Sequence, residues 1–112
     1  MSLILRVADD FLLDQDGQVA WYLERASEDV ARRYLEAIEQ TVSQLCRNPG
    51  LGAPCQFKHP RLIGMRFCRA SRPFQKHVVF YRYDATTVFV ERVIHGARDF
   101  PRRLLEPPGT QS

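Results

Sequence analysis

Lysine is nearly absent from this 112-residue chain, which carries two lysines against fourteen arginines. Cysteine is scarce too: Cys46, Cys55 and Cys68 are odd in number and form no Cys-x-x-Cys pair. That pattern argues against a disulfide framework and a structural zinc site, so three reduced thiols, no metal and no cofactor are expected. No apolar run approaches the ~18 residues of a membrane-spanning helix. The opening Met1-Ser2-Leu3-Ile4-Leu5-Arg6 is too short for a signal peptide, so a cytoplasmic protein without a membrane partner is expected. Glycine, at six residues, and serine are too few for a long flexible linker. A chain of this size buries roughly two-thirds of the surface its unfolded form exposes, which predicts one domain with one core.

What is present is unevenly placed. Residues 1–57 carry five arginines against nine acids, net −4, while residues 58–112 carry two lysines and nine arginines against four acids, net +7. The two halves sum to the overall +3. A guanidinium fork suits phosphate, carboxylate and aromatic surfaces better than an ammonium does. The basic half therefore points to an anionic partner, either nucleic acid or an acidic protein segment.

Leu3 to Val7 reads as a short strand. Asp9 and Asp10 open a helix in which Phe11, Leu12, Gln15, Val19, Tyr22 and Leu23 recur at helical spacing, with Gly17 weakening it and Trp21 lying off the stripe. Ser27 followed by Glu28 and Asp29 supplies an N-cap and first-turn acids for a second helix, whose buried stripe is Val30, Tyr34, Ile38, Val42 and Leu45. Asn48-Pro49-Gly50-Leu51-Gly52-Ala53-Pro54 ends it. Strand patterns follow over Leu62–Cys68, Lys76–Tyr83 and Thr87–His95. Pairing Tyr83 with Val88 sets Tyr81 against Val90, Val79 against Arg92 and His77 against Ile94, which puts Val79, Tyr81, Val88, Val90 and Ile94 on the helix-covered side. The opposite side then carries Lys76, Arg82, Glu91 and His95 among Val78, Phe80, Phe89 and Val93. The expected architecture is α+β: an N-terminal strand and a two-helix hairpin packed on one face of an antiparallel β-sheet, over residues 1–100, with 101–112 a partly flexible tail.

The turn Asn48-Pro49-Gly50-Leu51-Gly52, the strand Val79-Phe80-Tyr81-Arg82-Tyr83 and the stretch Arg92-Val93-Ile94-His95-Gly96-Ala97-Arg98-Asp99 resemble the RelE/ParE superfamily of bacterial toxins, most of all its ParE branch. The resemblance implies a two-layer sandwich and a toxin of a type II toxin–antitoxin module. It also implies a hetero-oligomer with a cognate antitoxin that wraps the toxin. ParE-like toxins imply inhibition of DNA gyrase by binding; RelE-like toxins imply cleavage of messenger RNA on the ribosome. An inactive homologue serving only as corepressor is a third reading.

Cleavage needs cations on the scissile phosphate and an acid/base pair. By resemblance the cationic role falls on Arg69 or Arg72 and on Arg98, and His95 is the available base. The working tyrosine of that branch falls near Leu104, and no tyrosine follows Tyr83, so the reading leans away from an enzyme. For binding a target or antitoxin, the candidates are Arg66, Arg69, Arg72 and Lys76, interleaved with Phe67 and Phe74, together with Arg98, Arg102 and Arg103. The competing reading of the first four is a charged strand edge that deters aggregation. Arg98 and Asp99 serve either the fold or a partner. Cys68 stands beside these cations, which would lower its thiol pKa, yet an inert thiol is expected. A disordered antitoxin tail would add a strand at the sheet edge and lay a helix beside the toxin's helices, its acids meeting the arginines. The acidic helices would be the less engaged face.

Overall fold

The computed structural model describes residues 2–96 and 99–108. Strand β1 (Ile4–Val7) leads into α1 (Asp9–Arg25) and α2 (Glu28–Arg47). The strands β2 (Ala53–Pro54), β3 (Arg66–Arg69), β4 (His77–Tyr83) and β5 (Thr87–His95) follow, then a short helix α3 (Phe100–Leu104). They form one five-stranded sheet in the order β1-β5-β4-β3-β2. The expected helical hairpin on a sheet is present. The sheet, however, is mixed rather than antiparallel, because β1 lies parallel to β5. That pairing joins residues more than eighty apart, which local periodicity does not report.

Local chemistry explains the helices. Ser27 is extended, and its Oγ accepts from Val30 N at 3.1 Å, satisfying an N–H that the first turn of α2 leaves unpaired. Tyr34, Ile38, Val42 and Leu45 are buried at helical spacing, joined by Ala31, Ala37, Thr41 and Cys46. In α1 the buried residues are Phe11, Asp14 and Gln18, while Leu12 and Leu23, expected in the stripe, are 46% and 52% exposed. This helix turns a partly polar seam inward.

The β4–β5 hairpin keeps the expected Tyr83–Val88 and Tyr81–Val90 pairs and then shifts. A bulge between Phe80 and Tyr81 leaves Glu91 extra, so Phe80 pairs with Arg92, Val79 with Val93, Val78 with Ile94 and His77 with His95. The shift moves Val93 into the helix-side core with Val79, Tyr81, Val88 and Val90, and sends Ile94 to the opposite face. That face is not the mixed surface the alternation predicts. It holds a second apolar layer of Leu62, Met65, Val78, Phe80, Ile94 and Leu104. The stretch read as a tail thus takes part in the structure as far as Glu106, with Leu104 buried at the end of α3 and Leu105 packed on the same layer; residues 109–112 lie outside the described residues.

The Asn48–Gly52 turn is held to the sheet by one phenol. Tyr81 Oη donates to Pro49 O at 2.7 Å and accepts from Gly52 N at 3.1 Å, and Arg66 Nη2 donates to Gly52 O at 2.7 Å. A Cβ on Gly52 would stand 2.3 Å from Phe67 O and 2.7 Å from Tyr81 Oη, whereas one on Gly50 would meet only Asn48 Oδ1 at 3.9 Å. Gly52→Ala should therefore lower unfolding free energy by about 1–3 kcal/mol, an overpacking cost, and Gly50→Ala by far less. Urea melts that gave both variants the same midpoint would contradict this account of the turn.

Candidate functional site

Three regions bear on function: the histidine end of the sheet, the basic β3–β4 loop, and an apolar groove along β1. At the first, Ala70 N donates to His77 O and Gly96 N to Lys76 O, which bring the β3–β4 loop and the end of β5 to the same edge. His77 is 2% exposed, and its Nε2 shares a 2.7 Å hydrogen bond with Tyr22 Oη. Its ring lies among Tyr34, Phe74 and His95, at centroid distances of 4.7, 6.0 and 4.8 Å. Burial, reinforced by the neighbouring His95, pushes the His77 pKa down to about 3. His95 is half-buried; burial, then Lys76 and Arg103, hold its pKa below the usual imidazole value. Its carbonyl accepts from Arg103 Nη2 at 2.5 Å. His77, which sequence reasoning did not single out, is the structural histidine that backs His95.

The basic residues are put to different uses. Arg66 is half-buried, its guanidinium 5.5 Å from the Tyr83 ring and bonded to the Gly52 carbonyl, so it clamps the turn. Arg69 Nη1 donates to Gln75 O at 3.3 Å, closing the loop on itself. Arg72 and Lys76 are exposed. Phe74 is 8% exposed in the core and Phe67 packs on the opposite apolar layer, so neither offers a ring for stacking bases. Arg102 pairs with Glu106 at 2.6 Å and with Asp99 at 3.8 Å. Asp99 precedes α3 in the left-handed region, at φ 61°. Arg98 lies outside the described residues. The nuclease candidates Arg69, Arg72 and His95 thus share one end of the sheet, and the position the resemblance gives to a tyrosine is a buried leucine, Leu104.

The cysteines are free thiols whose pKa values burial raises, Cys55 to about 11, against the opposing charge of Arg66. Cys46 and Cys68 are raised by burial likewise, so the cations beside Cys68 do not activate it. Trp21 is half-buried, edge-on to Tyr22 and beneath the Arg25 guanidinium at 5.6 Å.

The third region has the kind of strand edge and helix-side groove expected for an antitoxin tail, but none of its lining residues was among the sequence candidates. Between β1, α1 and α2 runs an apolar groove of about 410 Å³, lined by Leu5, Val7, Phe11, Leu12, Leu35 and Val42 among others. Leu5, Val7, Leu12 and Leu35 are 42%, 39%, 46% and 38% exposed, so a contiguous apolar surface faces solvent on the helical side, the side expected to be less engaged. The signal was present in part: Leu35 is a large apolar residue outside the stripe expected for α2, whereas Leu12 was counted in the stripe of α1. The groove adjoins an open strand edge, since β1 ends the sheet.

Residues 5–100 match the family described as the ParE toxin of the type II toxin–antitoxin system parDE. No curated protein matches. Among solved structures, the chain is similar to one from the chromosomal ParDE toxin–antitoxin system of P. aeruginosa. That likeness has a TM-score of 0.69 at 17% identity and covers 86% of this chain and 98% of the other.

The histidine end carries a pH prediction. A folded-state pKa near 3 for His77 means that its contribution is complete above the unfolded value of about 6.5 and is lost as pH falls toward 3. Between pH 7 and pH 5 the wild type should lose about 1–2 kcal/mol more stability than His77→Gln, measured by urea melts at each pH. Parallel pH profiles for the two proteins would contradict the assignment.

Proposed function

The chain belongs to the ParE toxin family of type II toxin–antitoxin systems, and from that premise we propose that it is a toxin neutralised by a cognate antitoxin in the β1 groove and inhibits DNA gyrase by binding. The observation that carries the antitoxin reading is the uncovered groove itself. A soluble domain rarely leaves four large aliphatic side chains side by side in water, and each contributes roughly 1.5–3 kcal/mol when a partner buries it fully. The open edge of β1 beside the groove offers backbone groups for an added strand, the mode by which an unfolded segment gains affinity from its main chain and selectivity from alternate side chains.

Action by binding is supported by Leu104. The place of the expected catalytic tyrosine is filled by an aliphatic side chain packed in the second apolar layer, which can neither donate nor accept a proton. The exposed cations Arg72 and Lys76 on the β3–β4 loop suit an acidic protein surface. The competing reading, a ribosome-dependent endoribonuclease, draws its support from Arg69, Arg72 and His95 at one end of the sheet. Purified chain added to a gyrase supercoiling reaction should inhibit it, and primer extension on translated message should show no new stops. Cleavage within codons with supercoiling untouched would reject gyrase in favour of the ribosome. Expression without the adjacent antitoxin should arrest growth; unimpeded growth would leave only the corepressor role.

The groove has its own test. Leu12→Asp/Leu35→Asp should weaken antitoxin binding about 100-fold or more, since each change removes one apolar contact and places a charge in its stead. Both positions face solvent, so the circular dichroism melt should stay cooperative. Unchanged affinity in the folded double variant would contradict the placement.

A further inference from the structure

On the face of β1 opposite the groove lies a second hollow that neither the target nor the groove reading uses. Side chains alternate along a strand, so Leu5 and Val7 turn to the helices and Ile4 and Arg6 turn the other way. There a trough of about 370 Å³ is lined by Arg6, Val7, Ala8, Arg82, Phe89 and Glu91. Through Ala8 and Glu91 it continues into a hollow of about 110 Å³ with Arg61 and Asp10 on its rim. Val7 lines both the trough and the groove, so the two are separated only by the thickness of β1.

The backbone shows how one partner reaches both. Ile4 N donates to Thr86 O at 2.8 Å and Ala8 N to Val90 O at 3.0 Å, so these N–H groups point to β5 and those of Leu5 and Val7 point to the open edge. A strand added there sets alternate side chains over the groove and over the trough. The charges lining the trough and the hollow are Arg6, Arg61, Arg82 and Arg92 against Glu91 and Asp10, with Arg92 buried and paired to Asp14. Arg82 is already engaged, through Nη1 with Glu91 at 2.8 Å and through Nη2 with Arg61 O at 2.7 Å. The exposed guanidiniums of Arg6 and Arg61 remain, with Asp10 as the opposing carboxylate outside those pairs among the described residues.

We propose, resting on the groove reading, that an extended antitoxin segment adds to the edge of β1 with apolar side chains in the groove and carboxylates over the trough against Arg6 and Arg61. The partner sequence is thereby specified as an alternation of apolar and acidic residues. The far-side arginines select it from other apolar strands.

The test uses the toxin and its co-expressed antitoxin, with dissociation constants measured across a sodium chloride series. Arg6→Glu/Arg61→Glu should weaken binding about tenfold or more and flatten its salt dependence, because exposed ion pairs are screened by salt. Arg61 serves Arg82 through its carbonyl rather than its side chain, so the clamp survives the change. Arg6→Gln/Arg61→Gln, which removes charge without reversing it, should show a smaller loss in the same direction. Unchanged affinity and salt slope in both pairs, with Leu12→Asp/Leu35→Asp still weakened, would overturn this inference and leave the groove standing. No effect from any of the three would sink the groove reading itself. A single-stranded DNA 20-mer serves as the other arm: if reversing the arginines abolished its binding while antitoxin affinity held, the trough would be a nucleic-acid site and the proposal would fail.

Discussion

A single buried guanidinium ties the molecule together. Arg92 and Asp14 have side chains only 8% and 6% exposed, and they meet through Nε–Oδ2 at 2.7 Å and Nη2–Oδ1 at 3.0 Å. Asp14 Oδ2 also accepts from Val93 N at 3.2 Å, just where β1 has ended and β5 would otherwise show a bare edge. On its other side, Arg92 Nη1 donates to Leu104 O at 3.0 Å and Glu106 O at 3.1 Å. One charge thus fixes the first helix, the last strand and the C-terminal segment. Charges this deep are expensive to desolvate, and the bidentate geometry with its additional hydrogen bonds offsets that cost only while every partner is present.

The same contact explains why α1 has the face it has. Asp14 and Gln18 occupy positions that periodicity would give to aliphatic residues, and Leu12 turns outward toward the groove. Local patterning made α2 legible, from the cap at Ser27 to the stop at Asn48, because its stripe and its ends agree. It also gave the hairpin as far as Tyr81. Beyond that point β4 is apolar on both faces, since each face is covered by its own layer, and a strand without alternation gives no warning of a one-residue bulge. The parallel neighbour of β5 was hidden for a different reason: nothing in four residues of β1 says which strand they will meet.

The candidate site was legible in type more than in place. Arginine enrichment in the second half does mark a working part of the chain, yet its members divide among tasks. Arg66 steadies a turn, Arg82 and Glu91 pair across the bulge, Arg92 organises the interior, and Arg69, Arg72 and Lys76 crown one end of the sheet. Arg6, from the acidic half, joins Arg61 on the far side of β1. Composition counts charges, but only the fold decides which of them reach a partner. In a toxin that is proposed to be held inactive by another protein, apolar surface beside an open strand matters as much as charge.

The Arg92–Asp14 pair can be put to the test by a double-mutant cycle in urea. Asp14→Leu and Arg92→Met should each cost about 3–5 kcal/mol, and the double variant Asp14→Leu/Arg92→Met should recover a large part of that loss, because no charge is then left buried alone. Single changes that cost under about 1 kcal/mol, or that add independently in the double variant, would contradict the view that this contact holds the sheet edge, the first helix and the C-terminal segment as one unit.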